Sequence, residues 1–324
     1  MGKTGRHDWR AFLKLIRSRY RLWLLLSGLL IYWFSLPEPL FDKPLSFILE
    51  DKNGQLLGAK IAGDGQWRFP PPDSLPHSYT TALIAFEDKR FYKHPGVDPI
   101  SLARAFYQNI RAGQIVSGGS TIHMQVMRLA LENRRRNLPN KIQEMILATR
   151  LALSHSTEEI LRLYATNAPF GGNVVGIEAA SWRYFNKAPT FLSWAEAAML
   201  AVLPNSPGLI HPGKNRDLLL QKRNRLLQKL RTQGSIDTLT LELALAEPLP
   251  DEVHALPRIA PHLLEQAYAS HYPQQHRIRS SIDFNLQKGA NAVVRRHHEI
   301  LKVNQIHNLA ALILDIRSGL PLVY

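Results

Sequence analysis

Glu87 and Asp88 open the charged part of the stretch "IAFEDKRFYKHPGVDP", residues 84–99, where Lys89, Arg90, Lys93 and His94 stand among Phe86, Phe91 and Tyr92. On a continuous helix Glu87 shares a face with Leu83 and Ile84 before it and Arg90 and Phe91 after it. A carboxylate beside apolar surface is partly desolvated, which favours its neutral form and raises its pKa, as a general base working near neutrality requires. The same spacing also fits a helix-surface acid paired with lysine or arginine.

A second chemical stretch is "SGGST", residues 117–121, two glycines before a helix start, where free backbone N–H groups can receive phosphate oxygens. It lacks the P-loop pattern, and a plain capped turn fits it equally. Lys141 and Glu144 sit three apart on the following helix, where a solvated surface pair is the simple reading. "ENRRR", residues 132–136, reads as a wet basic loop, with an anionic lipid headgroup as the alternative. His94, His123, His155 and the pair His297-His298 lack metal-ligand spacing, so no metal site is expected.

These residues need elements to hold them. From Ser78 to about Arg231 the apolar pattern is helical. Ser78–Tyr92 is expected as one helix. Asp98-Pro99 resembles an N-cap followed by proline at the first helical position, opening 100–111. Ser120 is expected to cap the helix carrying Ile122, Val126 and Leu129, and Pro139 to start the next. Ser156 with Glu159 and Ser193 with Glu196 fit capping boxes. Before this region, residues 46–61 read as two strands around Asn53-Gly54, a hairpin signal. After it, "EPLPDEVHALPRIAP" is a connector, "RIRSSIDFNLQ" a short strand leading into a helix, and 308–324 a buried strand, a turn at Ser318-Gly319 and a second strand.

The chain has 324 residues, formal net charge +14, a pI near 10.1 and no cysteine. Disulfides and thiolate zinc sites are excluded, and the charge asks for an anionic partner. Seven basic residues and one acid, a net +6, precede the uncharged run "LWLLLSGLLIYWFSL", residues 22–36. About 20 residues usually span a bilayer, but Tyr20 and snorkelling basic stems extend this run. No small-x-small cleavage site follows. The reading is a signal anchor with its N-terminus cytoplasmic and the rest exported, which demotes nucleic acid as a partner. A buried core helix is the rival for this run.

In order, "EDKRFYKHPG", "GGSTIHMQ", "NKIQE", "EEILRLY", "APFGGNVVGIEAASWRYFNK" and "LSWAEAAMLAVLPNSP" resemble the peptidoglycan glycosyltransferase domain, glycosyltransferase family 51, of class A penicillin-binding proteins. The wording "APFGG" and "AASWRYF" is nearest to the 1C branch. The likeness runs from about Pro70 to Leu230. It implies a mainly α, lysozyme-like domain with an N-terminal transmembrane helix, a small β-hairpin and the beginning of a C-terminal α/β transpeptidase-type domain. The implied boundaries are a basic tail at 1–21, an anchor at 22–36, linker and hairpin at 37–69, glycosyltransferase at 70–232, a linker at 233–257 and a truncated transpeptidase-type start at 258–324. The S-x-x-K, S-x-N and K-T-G motifs of a transpeptidase do not occur in order here. The expectation is that the chain is the front part of a longer protein or has lost its last domain.

The resemblance also implies the chemistry. Members polymerise lipid II into β-1,4 glycan strands with inversion and release undecaprenyl pyrophosphate. Glu87 matches the general base; Asp88, Phe91, His94 and Gly96 match the rest of its motif. Gly119, Ser120, Thr121 and Gln125 match the second motif, near the donor. Lys141 and Glu144 match the third motif's lysine and second acid, the lysine neutralising charge on the pyrophosphate. No cofactor is called for, and a divalent cation such as Mg or Mn is compatible with the family. Partners implied are lipid II, the growing strand, the membrane, and other cell-wall synthesis and division proteins, with the catalytic domain periplasmic on the inner membrane. Departures from the family pattern stand at His123, Met124, Asn140, Thr157 and Thr166, with Arg128, Arg134 or Arg150 as candidates to replace lost charge. They motivate an alternative, a catalytically weak or inactive scaffold of the cell-wall machinery. A lysozyme-like hydrolase is the third reading.

Overall fold

The structure is a computed structural model that describes residues 20–114, 116, 118–132, 135, 137–205 and 213–324. The basic tail before residue 20, Ser117, Arg134, and Ser206 and Pro207 of the sixth motif block lie outside the described residues. The chain divides into two compact units, one formed by residues up to Asp42 and Lys93–Thr157, the other by Lys43–Tyr92 and Glu158–Tyr324.

Among the described residues the regular elements of the first unit are all helices. Residues 20–33 form α1, on which Leu22, Trp23, Leu25, Leu30 and Ile31 are each more than half exposed. Among the described residues no helix is long and apolar enough to cross a membrane. An apolar surface exposed around most of a helix is nevertheless unusual for water. Asp98 caps α3 (Pro99–Ala112), accepting from the Ile100 N–H at 3.0 Å and from the Ser101 hydroxyl at 2.6 Å. This is the cap expected from Asp98-Pro99. The next helices are α4 (Ile122–Ala130) and α5 (Leu138–Ser154), packed on each other. Asn137 caps α5 by accepting from the Asn140 N–H at 2.9 Å, so the helix begins one residue before Pro139.

The second unit carries the sheets and the larger core. β1 (Phe47–Glu50) and β2 (Leu56–Lys60) pair antiparallel. The hairpin expected at Asn53-Gly54 forms there: Gly54 turns at φ +82°, and the Asp51 carboxylate accepts from the N–H groups of Asn53 and Gln55. β3 (Trp67–Arg68) leads to α2 (His77–Glu87). After α6 (Thr157–Asn167), the "APFGGNVV" segment folds back as β4 (Pro169–Gly171) and β5 (Val174–Val175), giving the order β3-β5-β4. Then come α7 (Ile177–Phe185), α8 (Trp194–Val202) and α9 (Arg216–Thr232). The Ser193–Glu196 capping box starts α8 as expected. All but two of the nine α8 residues are buried, and the helix packs between α2 and α9. A helix apolar on nearly every face can only be a central one.

Residues 233–257, expected as a linker, include α10 (Thr238–Ala246), which packs on α9. The C-terminal part holds α11 (Pro261–His271), β6 (Arg277–Arg279), α12 (Phe284–Lys302) and the pair β7 (Ile313–Leu314) and β8 (Pro321–Val323). The strand-then-helix reading of "RIRSSIDFNLQ" is observed, but its strand does not start a separate sheet. β6 adds to β1 in parallel, giving the order β2-β1-β6. The join is charged: Arg277 pairs with Glu50 on β1 and donates to Glu178 on α7 at 2.7 Å. Beneath it, Phe47, Leu49 and Leu57 pack with Leu264 and Ile282. The strand expected as buried near residue 313 is instead two residues long with both exposed. Its apolar run suited a covered strand, but only β8 pairs with it among the described residues.

Candidate active site

Glu87 is the last residue of α2 and is half-buried. The helix stops there because Asp88 turns to φ −152°, and its carbonyl accepts from the Phe91 N–H in a short 3₁₀ turn, Phe91–Lys93. The helix expected to run to Tyr92 therefore ends five residues earlier. Arg90 and Phe91 do not extend the face of Glu87 as i+3 and i+4 neighbours on one helix. What anchors the acid is the helix before it. Tyr79, Ala82, Leu83 and Ala85 are buried, and the Lys229 ammonium on α9 donates to the Ala85 carbonyl. Asp88 and Phe91 are themselves buried. Burial, and then the charge of Glu87, pushes the Tyr79 phenol well above its ordinary pKa.

In the first unit the second and third motifs come together. Thr121, rather than Ser120, caps α4: its hydroxyl accepts from the Met124 N–H at 3.2 Å and donates to the Gly96 carbonyl at 2.5 Å. Ser120 is thereby left to accept from the Lys141 ammonium on α5. Gly96 lies at φ +94°, and a Cβ there would sit 2.3 Å from the Ala148 carbonyl oxygen of α5. A Cβ on Gly119 would lie 2.8 Å from the Leu102 side chain. Both glycines are there because backbone meets neighbour with no room for a side chain. Gln125 is half-buried one turn into α4, its N–H bonded to the Thr121 carbonyl.

Glu144 is buried and accepts two parallel bonds from Arg128 of α4, Nε at 2.9 Å and Nη2 at 2.8 Å. Such a two-bond fork fixes both the distance and the plane of the carboxylate. Sequence spacing treated Lys141 and Glu144 as a pair. In the fold each instead takes a partner from the segment before it, Ser120 and Arg128. Arg128 is the residue that spacing alone left unassigned. The signal for it is its place four residues after Met124 on the α4 face, and only the packing of α4 on α5 gives that meaning. The histidines read as scattered are also partly gathered: the rings of His94 and His123 lie 5.5 Å apart at 63°.

The departures from the family pattern resolve into different local roles. Asn140 ties down the loop before α5, its side-chain amide donating to the Arg135 carbonyl at 2.7 Å. His123 and Met124 are buried on the inner face of α4. Thr166 is buried on α6, its hydroxyl without a hydrogen-bond partner among the described residues. Thr157 is the first residue of α6. Of the cations named as replacements, Arg128 stands at Glu144, Arg134 lies outside the described residues, and Arg150 turns to α1, its Nε donating to the Trp33 carbonyl at 2.9 Å.

A sequence model of the family described as Transglycosylase matches residues 54–231. Penicillin-binding protein 1C of Escherichia coli K12 is 38% identical over 226 residues, which cover 69% of this chain and 29% of that protein. Penicillin-binding protein 1A of Aquifex aeolicus is 34% identical over 233 residues, covering 69% of this chain and 32% of that protein. Among solved structures, penicillin-binding protein 1A from Haemophilus influenzae aligns with a TM-score of 0.36 at 16% identity, over 85% of this chain and 32% of that one; so loose a likeness carries no weight. The chain belongs to the transglycosylase family. The resemblance read from the six ordered blocks is thus borne out, including its likeness to penicillin-binding protein 1C. The chain spans about a third of the length of these relatives.

Proposed function

We propose that this chain is a peptidoglycan glycosyltransferase that polymerises lipid II. The observation that carries the reading is the joining of the second and third motifs in one unit, through Lys141 on Ser120 and Arg128 on Glu144. That joining sets two cations and an acid on adjoining helices, the charge set a lipid-linked pyrophosphate leaving group requires. Family membership supplies the rest.

In this mechanism Glu87 takes the proton from the 4-hydroxyl of the incoming lipid II as that oxygen attacks the anomeric carbon of the lipid-linked strand. The glycosidic bond to pyrophosphate breaks, and undecaprenyl pyrophosphate leaves with the bonding electron pair. The new β-1,4 bond has inverted configuration. Lys141 offsets the charge growing on the leaving pyrophosphate. Glu144 holds the Arg128 guanidinium in place beside it, so Arg128 supplies the cation that Asn140 and Thr157 do not. Asp88, Phe91 and His94 shape the turn after Glu87; Gly119, Ser120, Thr121 and Gln125 shape the donor side. The glycosyltransferase region is 70–232, and the exposed apolar surface of α1 supports anchoring through residues 22–36 to the inner membrane, with the catalytic region outside it.

The test is polymerisation of labelled lipid II in detergent by the wild-type chain and by Glu87→Gln. Glycan strands from the first and a loss of about 10³-fold in the second are expected for a missing general base. No strands from either, with the folded protein still binding lipid II, would instead establish the binding-only scaffold suggested by the motif departures.

A further inference from the structure

We infer that Arg150 is a positioning residue: it locks the end of α1 onto the back of α5 and so sets how α5 presents Lys141 and Glu144. The inference rests on the transferase reading above. Arg150 is only 8% exposed, a burial that arginine rarely accepts without a purpose. Its Nε donates to the Trp33 carbonyl at 2.9 Å, and its guanidinium lies 4.4 Å from the centre of the Trp33 ring. One residue earlier on each helix, the Tyr32 hydroxyl and the Thr149 hydroxyl are 3.0 Å apart.

Each contact has a physical reason. Trp33 ends α1, and its carbonyl is among the last four that no donor within the helix can reach. That end of the helix carries partial negative charge, which favours a cation. The flat guanidinium can stack on the indole while its edge N–H donates to the carbonyl, and a lysine ammonium cannot do both. At 100° per residue, Ile142, Ile146 and Arg150 fall on one face of α5, while Lys141, Glu144 and Ala148 fall on the opposite one. Arg150 is therefore not turned toward the pyrophosphate side.

Apolar packing alone does not hold this junction. The exit of α1 and the same α5 face enclose an open cavity of about 610 Å³, lined by Phe34, Leu36, Pro139, Ile142, Ile146 and Leu147. With the side chains standing apart there, the polar clamp at Trp33 and Tyr32 carries the attachment. α5 is then a helix with two tasks: its back face holds the apolar helix, and its front face holds the donor's charge. A substrate confined to the bilayer must meet Lys141 at the depth that this attachment sets.

The test compares two substrates. One is lipid II with its full polyprenyl chain in liposomes; the other is a short-chain, water-soluble analogue. For Arg150→Ala, KM for the first is expected to rise about tenfold with kcat within about twofold, and both constants for the second to change by less than about twofold. Arg150→Lys should recover part of the loss. Arg150→Met, which keeps the volume and removes the charge, replaces alanine if that variant does not fold. An equal loss on both substrates would mean a merely structural role and overturn the inference, as would no loss on either.

A second readout needs no activity. The chain has no cysteine, so Phe34→Cys with Ile146→Cys puts its only two thiols on the walls of the cavity, where a bifunctional maleimide can cross-link them. The cross-link yield should fall several-fold when Arg150→Ala is added, and an unchanged yield overturns the clamp. Failure of the wild-type chain on both substrates would overturn the transferase reading and the catalytic consequence of the clamp together, while the cross-link yield still decides the clamp itself.

Discussion

The two acids assigned to the reaction are held in place by different means. Glu87 stands at the end of a helix whose body is buried and whose last turn is fastened through backbone, by Lys229 on the Ala85 carbonyl. Its position follows from the core of α2, α8 and α9. Glu144 is held by another charge, the two-bond fork of Arg128, and beside it Lys141 is held by Ser120. An acid placed by a core can lose its charge without loss of fold. An acid placed by a partner charge cannot, because the partner is then left half-buried and uncompensated.

The largest expected effect tests that separation. Glu87→Gln should cost about 10³-fold in polymerisation while its thermal unfolding midpoint stays close to wild type. A large fall in the midpoint would show that Glu87 is structural after all. Next, Gly96→Ala should cost roughly 3 kcal/mol of stability. It forces a Cβ onto the Ala148 carbonyl at a φ of +94°, and urea unfolding checks it. Tolerance of alanine there would mean that the first motif's turn is not clasped to α5.

Arg128→Ala is expected to cost about 2 kcal/mol of stability together with activity, because it strands the Glu144 carboxylate. Arg128→Lys should restore the charge but only part of the stability, since one bond of the fork is gone. A double-mutant cycle with Glu144→Gln measures the coupling, and a coupling near zero would erase the contrast between the two acids.

The smallest effect concerns a charge outside the site. Burial pushes Glu178 above its ordinary pKa against the pull of Arg277, a guanidinium that is also shared with Glu50. Folding therefore favours the protonated form. Its contribution to stability is full below the ordinary carboxylate pKa of about 4.5 and is lost as pH rises through the raised value. Glu178→Gln should remove that loss, so the variant's unfolding midpoint should gain on wild type from acid to neutral pH. A gap between the two that does not change with pH would mean that Glu178 stays ionised in the fold.

Much of the local structure was legible because it depends on neighbours in sequence. The Asn53-Gly54 hairpin, the Asp98-Pro99 cap and the Ser193–Glu196 box each satisfy their own backbone groups within four residues. The end of α2 was not legible: nothing in "EDKRFY" forbids a helix, and it is the Asp88 backbone that breaks it. The exchange between Ser120 and Thr121 was likewise hidden. Both hydroxyls can cap, and the choice follows from the Gly96 carbonyl on one side and Lys141 on the other.

Residue types and their order were enough to place the chain in its family and to mark the 78–231 region as mostly helical, and they offered Glu87, Glu144 and Lys141 for the roles proposed above. Which residue holds which was settled by packing. It set Arg128 on Glu144, Lys141 on Ser120, Arg150 on Trp33 and β6 beside β1. Those pairings join residues 16 to more than 200 positions apart, and a bond of that span depends on how helices and strands pack rather than on any local pattern.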